Sequence, residues 1–200
     1  MRGATSLLLA LACVSILVAS FLPTPPVPQV SAKPEVKYRF RYVQPTRRPP
    51  VHFNWFVSGH ADGAGILVFE PLFVYHRGND TYIPVLGVSW TLSKDCKVLT
   101  VKLRKGVTFS DGTPFTSKDV ITTWYCGYLV HWWHWKYLDR VEAPDDYTVV
   151  FYAKEPWPLM PFYVLTRGIV SDSQYGEWAE KVIEYLKAGK TEELKKLEEE

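Results

Sequence analysis

Ten consecutive residues, Tyr128 to Tyr137, hold three tryptophans (Trp132, Trp133, Trp135), two histidines (His131, His134) and two tyrosines. Flat indoles stack on the C–H faces of sugars or pack against peptide side chains, and imidazoles add hydrogen bonds beside them. A helix buries only one face of such a run, so some of these rings are expected at the surface or along a cavity. Packing in the core is the competing use of any one tryptophan. A second cluster, His52-Phe53-Asn54-Trp55-Phe56, offers an amide that donates and accepts at Asn54 and a stacking platform at Trp55. Its competing use is a structural loop. Asn54, Trp55, His131, Trp132, Trp133 and Trp135 are the candidate ligand-binding residues.

Other chemistry is thinner. His131 and His134 are three residues apart and share a face if the run is helical, which is half of a metal site. No cysteine is close and Asp139 is the nearest acid, so no metal and no cofactor is expected. A glycoside-cleaving carboxylate pair would draw on Glu70, Asp111 and Asp119. Each of these has a turn or a helix cap to explain it, and no catalytic residue is expected. Bridging Cys96 to Cys126 would close a loop of about 30 residues and add about 3 kcal/mol. With Cys96 in a predicted turn and Cys126 inside a predicted helix, two separate thiols are favoured.

Of the 200 residues 47% are hydrophobic, 22% charged and 15% aromatic, which excludes a chain disordered throughout. Lys and Arg number 23 against 21 Asp and Glu, so neither nucleic acid nor an anionic membrane surface is expected as a partner. Asn and Gln are scarce and the C-terminus is rich in Lys and Glu, which points to a thermophilic source. Arg2 precedes the uncharged stretch Ala4 to Leu22, the mark of a secretory leader and long enough to span a bilayer if retained. Val30-Ser31-Ala32 and Val18-Ala19-Ser20 are candidate cleavage sites, and Cys13 is a candidate for lipidation. All three fates place the remainder outside the cytoplasm, in the periplasm or on the cell surface. The expected organisation is a leader or anchor with a proline-rich spacer over 1–32, then a folded part over 33–200.

The elements that must hold the clusters are readable from spacing. Lys33 to Val43 alternates as a half-buried strand. Ile66 begins a short helical turn leading into Glu70–Tyr75, and Gly78-Asn79-Asp80 is a turn. Ser89–Leu92 and Leu99–Arg104 form a hairpin with Trp90, Leu92, Leu99, Val101 and Leu103 on its covered face. Thr116 with Asp119 makes a capping-box variant that starts a helix from Ser117 to about Leu129. A second hairpin begins at Val141, turns at Asp145-Asp146 and returns over Thr148–Ala153, with Val149 and Phe151 facing opposite to Val150 and Tyr152. Glu155-Pro156-Trp157-Pro158 stops it. Helices follow over Glu177–Lys187 and Thr191–Glu200. This order of hairpins and helices is α+β.

Four segments in sequence carry a resemblance: Phe69 to Tyr75, Tyr82 to Trp90, Leu99 to Val120 and Val141 to Phe151. The third holds Leu103-Arg104-Lys105-Gly106-Val107-Thr108-Phe109-Ser110-Asp111-Gly112-Thr113-Pro114-Phe115-Thr116, long and fixed enough to be specific. In this order they resemble the family-5 extracellular solute-binding proteins of ABC importers, which take peptides, nickel or oligosaccharides. The resemblance covers about residues 38–170. It implies a type II periplasmic-binding-protein-like fold, of which this chain would supply only the N-terminal lobe. Family members run to several hundred residues in two lobes that close on a ligand, so the chain is expected to be a fragment or to have its second lobe elsewhere. The implied function is an extracytoplasmic component that captures an oligosaccharide or oligopeptide and hands it to permease subunits in the membrane. The resemblance also places the 128–137 run near the ligand cleft and Asn54 at a strand exit that approaches ligand. Phe53-Asn54-Trp55-Phe56 and the glycine-rich stretch after it look more like the oligosaccharide branch. A truncated or vestigial lobe and an exported glycoside-active enzyme are the alternatives.

Overall fold

Alternating apolar and polar residues build the sheet that anchors everything else. The computed structural model describes residues 68–199 together with Asn54 and Phe56, all within the unit Gln44–Glu200. The expected leader, the strand over 33–43, Trp55 and most of the glycine-rich loop lie outside the described residues. Strand β1 (Phe73–His76) pairs antiparallel with β2 (Thr81–Pro84) as a two-stranded ribbon. A four-stranded sheet follows in the order β3-β4-β6-β5, from β3 (Gly87–Leu92), β4 (Val98–Leu103), β5 (Leu138–Asp145) and β6 (Thr148–Ala153). All its pairings are antiparallel.

The register puts the apolar set on one face. Leu99 sits between Leu92 and Phe151, and Val101 between Trp90 and Val149. Leu99, Val101, Leu103, Val149, Phe151 and Ala153 are buried, as the alternation requires, while Val150 and Tyr152 face the other way and are half-buried. Both expected hairpins form. Val68 is helical, residues 66–67 of the expected helical turn lie outside the described residues, and strand β1 begins at Phe73, where β-branched and aromatic residues find a cross-strand partner in β2.

Helix α1 runs over Ser117–Leu129, as the capping box dictates. Asp119 Oδ2 accepts the Thr116 amide at 2.7 Å, and Thr116 Oγ1 accepts the Lys118 amide at 3.2 Å. The other oxygen of Asp119 accepts the amide of Asp172 at 2.8 Å, at the start of helix α3 (Asp172–Ala188). One buried carboxylate thus holds the first turns of two helices, where the dipoles favour negative charge. Thr123 Oγ1 adds a tie by accepting the Val170 amide at 3.0 Å. Helix α3 starts earlier than its apolar spacing indicates, because Ser171 caps a polar first turn, and it ends on Gly189 at φ +66°. Helix α2 (Met160–Leu165) was not expected after Pro158, yet a proline in the first helical turn costs no hydrogen bond. Helix α4 covers Thr191–Glu199. Cys96 and Cys126 are both free thiols, and burial pushes the Cys126 thiol up to about 12.

Candidate functional site

Helix α1 carries the seat of the aromatic cluster. A Cβ added at Gly127 would lie 2.3 Å from Cε3 of Trp132, so only glycine lets that indole lie against the helix. The chain then reverses sharply: His131 adopts φ +54°, and the Trp132 amide donates to the Gly127 carbonyl at 2.8 Å. A single 3₁₀ turn, Trp133–Lys136, follows. The run is therefore not a continuous helix, and His131 and His134 do not share a helical face.

The six candidate residues are placed unequally. Trp132 is half-buried, edge-on to the core ring of Trp124 with centroids 5.8 Å apart. Trp133 is 49% exposed, stacks on His134 at 4.2 Å and meets Tyr163 edge-on at 4.7 Å. Trp135 is 8% exposed; its Nε1–H donates to the Trp124 carbonyl at 3.0 Å, and its ring packs edge-on against Tyr128. His131 is exposed, whereas His134 is buried among Trp124, Trp132 and Trp133. Burial, helped by the charge of Arg167, pushes His134 down to about 4, so its imidazole is neutral at pH 7. Asn54 is exposed and its Oδ1 accepts the Phe56 amide at 3.0 Å. The Phe56 ring lies 5.6 Å from that of Trp132, which brings the first cluster against the second. Trp55 is outside the described residues.

Arg167 is the residue that sequence spacing missed. It follows the apolar helix α2 and precedes Gly168-Ile169-Val170, and a lone cation in such a run was its only signal. Its guanidinium lies 4.1 Å over the Trp132 ring. Burial holds it below the ordinary arginine value, and no carboxylate pairs with it among the described residues.

Among the described residues three buried side-chain polar atoms lack a hydrogen-bond partner: Trp124 Nε1, His134 Nδ1 and Arg167 Nε. All three residues pack on Trp132. Buried polar groups are normally satisfied, which sets this neighbourhood apart among the described residues. Open grooves flank it. One, of about 420 Å³, is lined by His131, Trp132, Trp133 and Trp135 with Lys136 and residues of α4. Another, of about 490 Å³, is lined by Arg167, Phe162, Tyr75 and Phe69. Trp132 lines the first and Arg167 the second.

The acids are engaged elsewhere. Asp111 Oδ1 accepts the amide and hydroxyl of Thr113 at 2.9 and 2.7 Å, which holds its carboxyl below the usual range. Asp119 is taken up by its two helix starts, and burial raises it. Among the described residues no group of three or more His, Cys, Asp and Glu is placed to hold a metal.

The fold and the grooves can be set beside known proteins. The chain belongs to the bacterial extracellular solute-binding proteins, family 5, whose middle profile matches residues 81–195. A putative ABC transporter peptide-binding protein of Brucella ovis is 33% identical over 54% of this chain and 20% of its own length. The nickel-binding periplasmic protein of Escherichia coli K12 is 44% identical over 26% of this chain and 10% of its own. Among solved structures, a periplasmic oligopeptide-binding protein of Thermotoga maritima with mannohexaose bound is 28% identical, at TM-score 0.50, over 58% of this chain and 23% of that one. The periplasmic binding protein AgaA of A. tumefaciens R10, in complex with agropinic acid, shares the fold at TM-score 0.53 and 23% identity, over 65% of this chain and 28% of that one. The chain matches 10% to 20% of the length of these curated relatives.

Proposed function

We propose that residues 33–200 form part of the N-terminal lobe of an exported binding component, which captures an oligosaccharide or oligopeptide and delivers it to an ABC permease. Residues 1–32 serve as its leader or anchor. The observation that carries this reading is the pair of open grooves lined by Trp132, Trp133 and His131 on one side and by Arg167, Phe162 and Tyr75 on the other, with the Arg167 guanidinium 4.1 Å over the Trp132 ring. Arg167 lines one of these grooves, and its guanidinium suits a solute group that accepts hydrogen bonds, a carboxylate above all. Trp132 and Trp133 supply flat faces for sugar rings or peptide side chains, with His131 and Asn54 as hydrogen-bonding groups at the edge. Ligand that bridges this lobe to a second one favours the closed arrangement, and only the closed form engages the permease. The named ligands of the relatives, peptide and mannohexaose, span both solute classes.

Titration calorimetry of the full chain, and of a two-lobe form that includes it, against panels of oligosaccharides and oligopeptides tests the reading. Heat with one panel, lost on Trp132→Ala, is the expected result. Absence of heat with both panels, and of any ligand-dependent melting shift, would favour a vestigial lobe.

A further inference from the structure

The turn between β1 and β2 has a use that ligand capture does not touch. Asn79-Asp80-Thr81 is the only Asn-X-Ser/Thr sequence in the chain, which has just two asparagines. That triplet with a non-proline centre is the acceptor signature for N-linked glycans, and it works only on an exposed loop of an exported protein. Arg77, Gly78, Asn79, Asp80 and Thr81 are all exposed. Asp80 takes the left-handed conformation at φ +53°, which turns the chain so that residues 79 and 81 approach. The Thr81 hydroxyl donates to Asn79 Oδ1 at 2.6 Å, so the two recognised side chains already face each other across the turn. That bond engages the oxygen end of the amide and leaves the nitrogen end out of it.

The ribbon beneath the turn gives the modification a purpose. Among the described residues β1 and β2 pair only with each other, and the cross-strand pair Val74 and Ile83 is 45% and 47% exposed. A short two-stranded ribbon with an apolar face and open edges is a template for pairing with another chain. A bulky hydrophilic group at its tip blocks that approach sterically.

We propose that Asn79 is an N-glycosylation site. The co-substrate is an oligosaccharide linked through phosphate or pyrophosphate to a polyprenyl lipid. Asn79 Nδ2 attacks C1 of the first sugar. The C1–O bond to phosphorus breaks with its electron pair leaving on the lipid phosphate, and one amide proton passes to the transferase base. No redox change is involved. The proposal rests on the reading that the chain is exported, and the test separates the two.

Protein isolated from the cells that make it is fractionated into cytoplasmic and extracytoplasmic pools, and the peptide containing Asn79 is read by mass spectrometry. The expected result is extracytoplasmic chain whose Asn79 peptide carries a series of sugar masses. In the same cells the Asn79→Gln and Thr81→Ala variants lose those masses and Thr81→Ser keeps them. Extracytoplasmic chain with a bare Asn79 peptide overturns the proposal and leaves export standing. Chain found only in the cytoplasm overturns both. Asn79 and Thr81 are both exposed, and circular dichroism matching the wild type confirms that lost sugar is not lost fold.

Discussion

At the scale of the residue, His134 makes the strongest statement. Its pKa falls from 6.5 in the unfolded chain to about 4 when buried, so the unfolded chain binds more protons between those values. Stability is therefore complete above pH 6.5 and declines as pH falls toward 4, by about 2 kcal/mol at pH 5. Urea midpoints at pH 7 and pH 5 should show this loss in the wild type, with His134→Phe losing distinctly less over the same interval. Arg167 gives the second prediction. Its charge has no carboxylate partner among the described residues, so Arg167→Met, which keeps an apolar chain against Trp132, should leave the melting temperature nearly unchanged while solute affinity falls by about 10- to 100-fold. Calorimetry and a melting curve on one preparation read both numbers, and equal affinity in the variant would remove Arg167 from the site. Neither residue's role was legible from spacing. The sequence shows histidine and arginine as polar positions, and only packing against Trp132 reveals that one is forced neutral and that the other, among the described residues, lies over an indole without a carboxylate.

At the scale of the element, legibility follows how local the determining physics is. The β3–β4 and β5–β6 hairpins and helix α1 were readable because alternation, turn residues and the Thr116–Asp119 box act within a few residues of chain. Helix α2 was not, because Pro158 and Pro161 look like breakers until the helix start is known. The 128–137 run was readable as aromatic but not as a reversal, since the glycine that permits it lies at position 127, inside the preceding helix. Gly127→Ala should show this. The substitution gains about 1 kcal/mol of helix propensity but drives a methyl into the Trp132 ring. A net loss of about 1–3 kcal/mol is expected, with a shifted tryptophan emission and weaker solute binding. Asp119→Asn retains an acceptor for one helix start and presents an NH₂ to the other. It should cost about 1–3 kcal/mol in chemical denaturation, because two first turns depend on that carboxylate.

At the scale of the whole molecule, the fold was clear from the 99–120 segment, and the solute class was not. Hairpin and cap motifs specify a scaffold, whereas the proposed solute site draws on side chains brought together from the 3₁₀ turn, the Arg167 segment and the Asn54 segment, which local spacing does not reveal. A solute that binds only the folded chain raises its stability by about 2.7 kcal/mol when present at a hundred times its dissociation constant. A thermal-shift screen of sugars and peptides should therefore single out one class. The Asp119 carboxylate, which receives the amides of both Thr116 and Asp172, has a kinetic corollary. Those two amide protons, 56 positions apart along the chain, should trade with deuterium at a common rate, because a shared latch cannot be released at one end while it stays shut at the other.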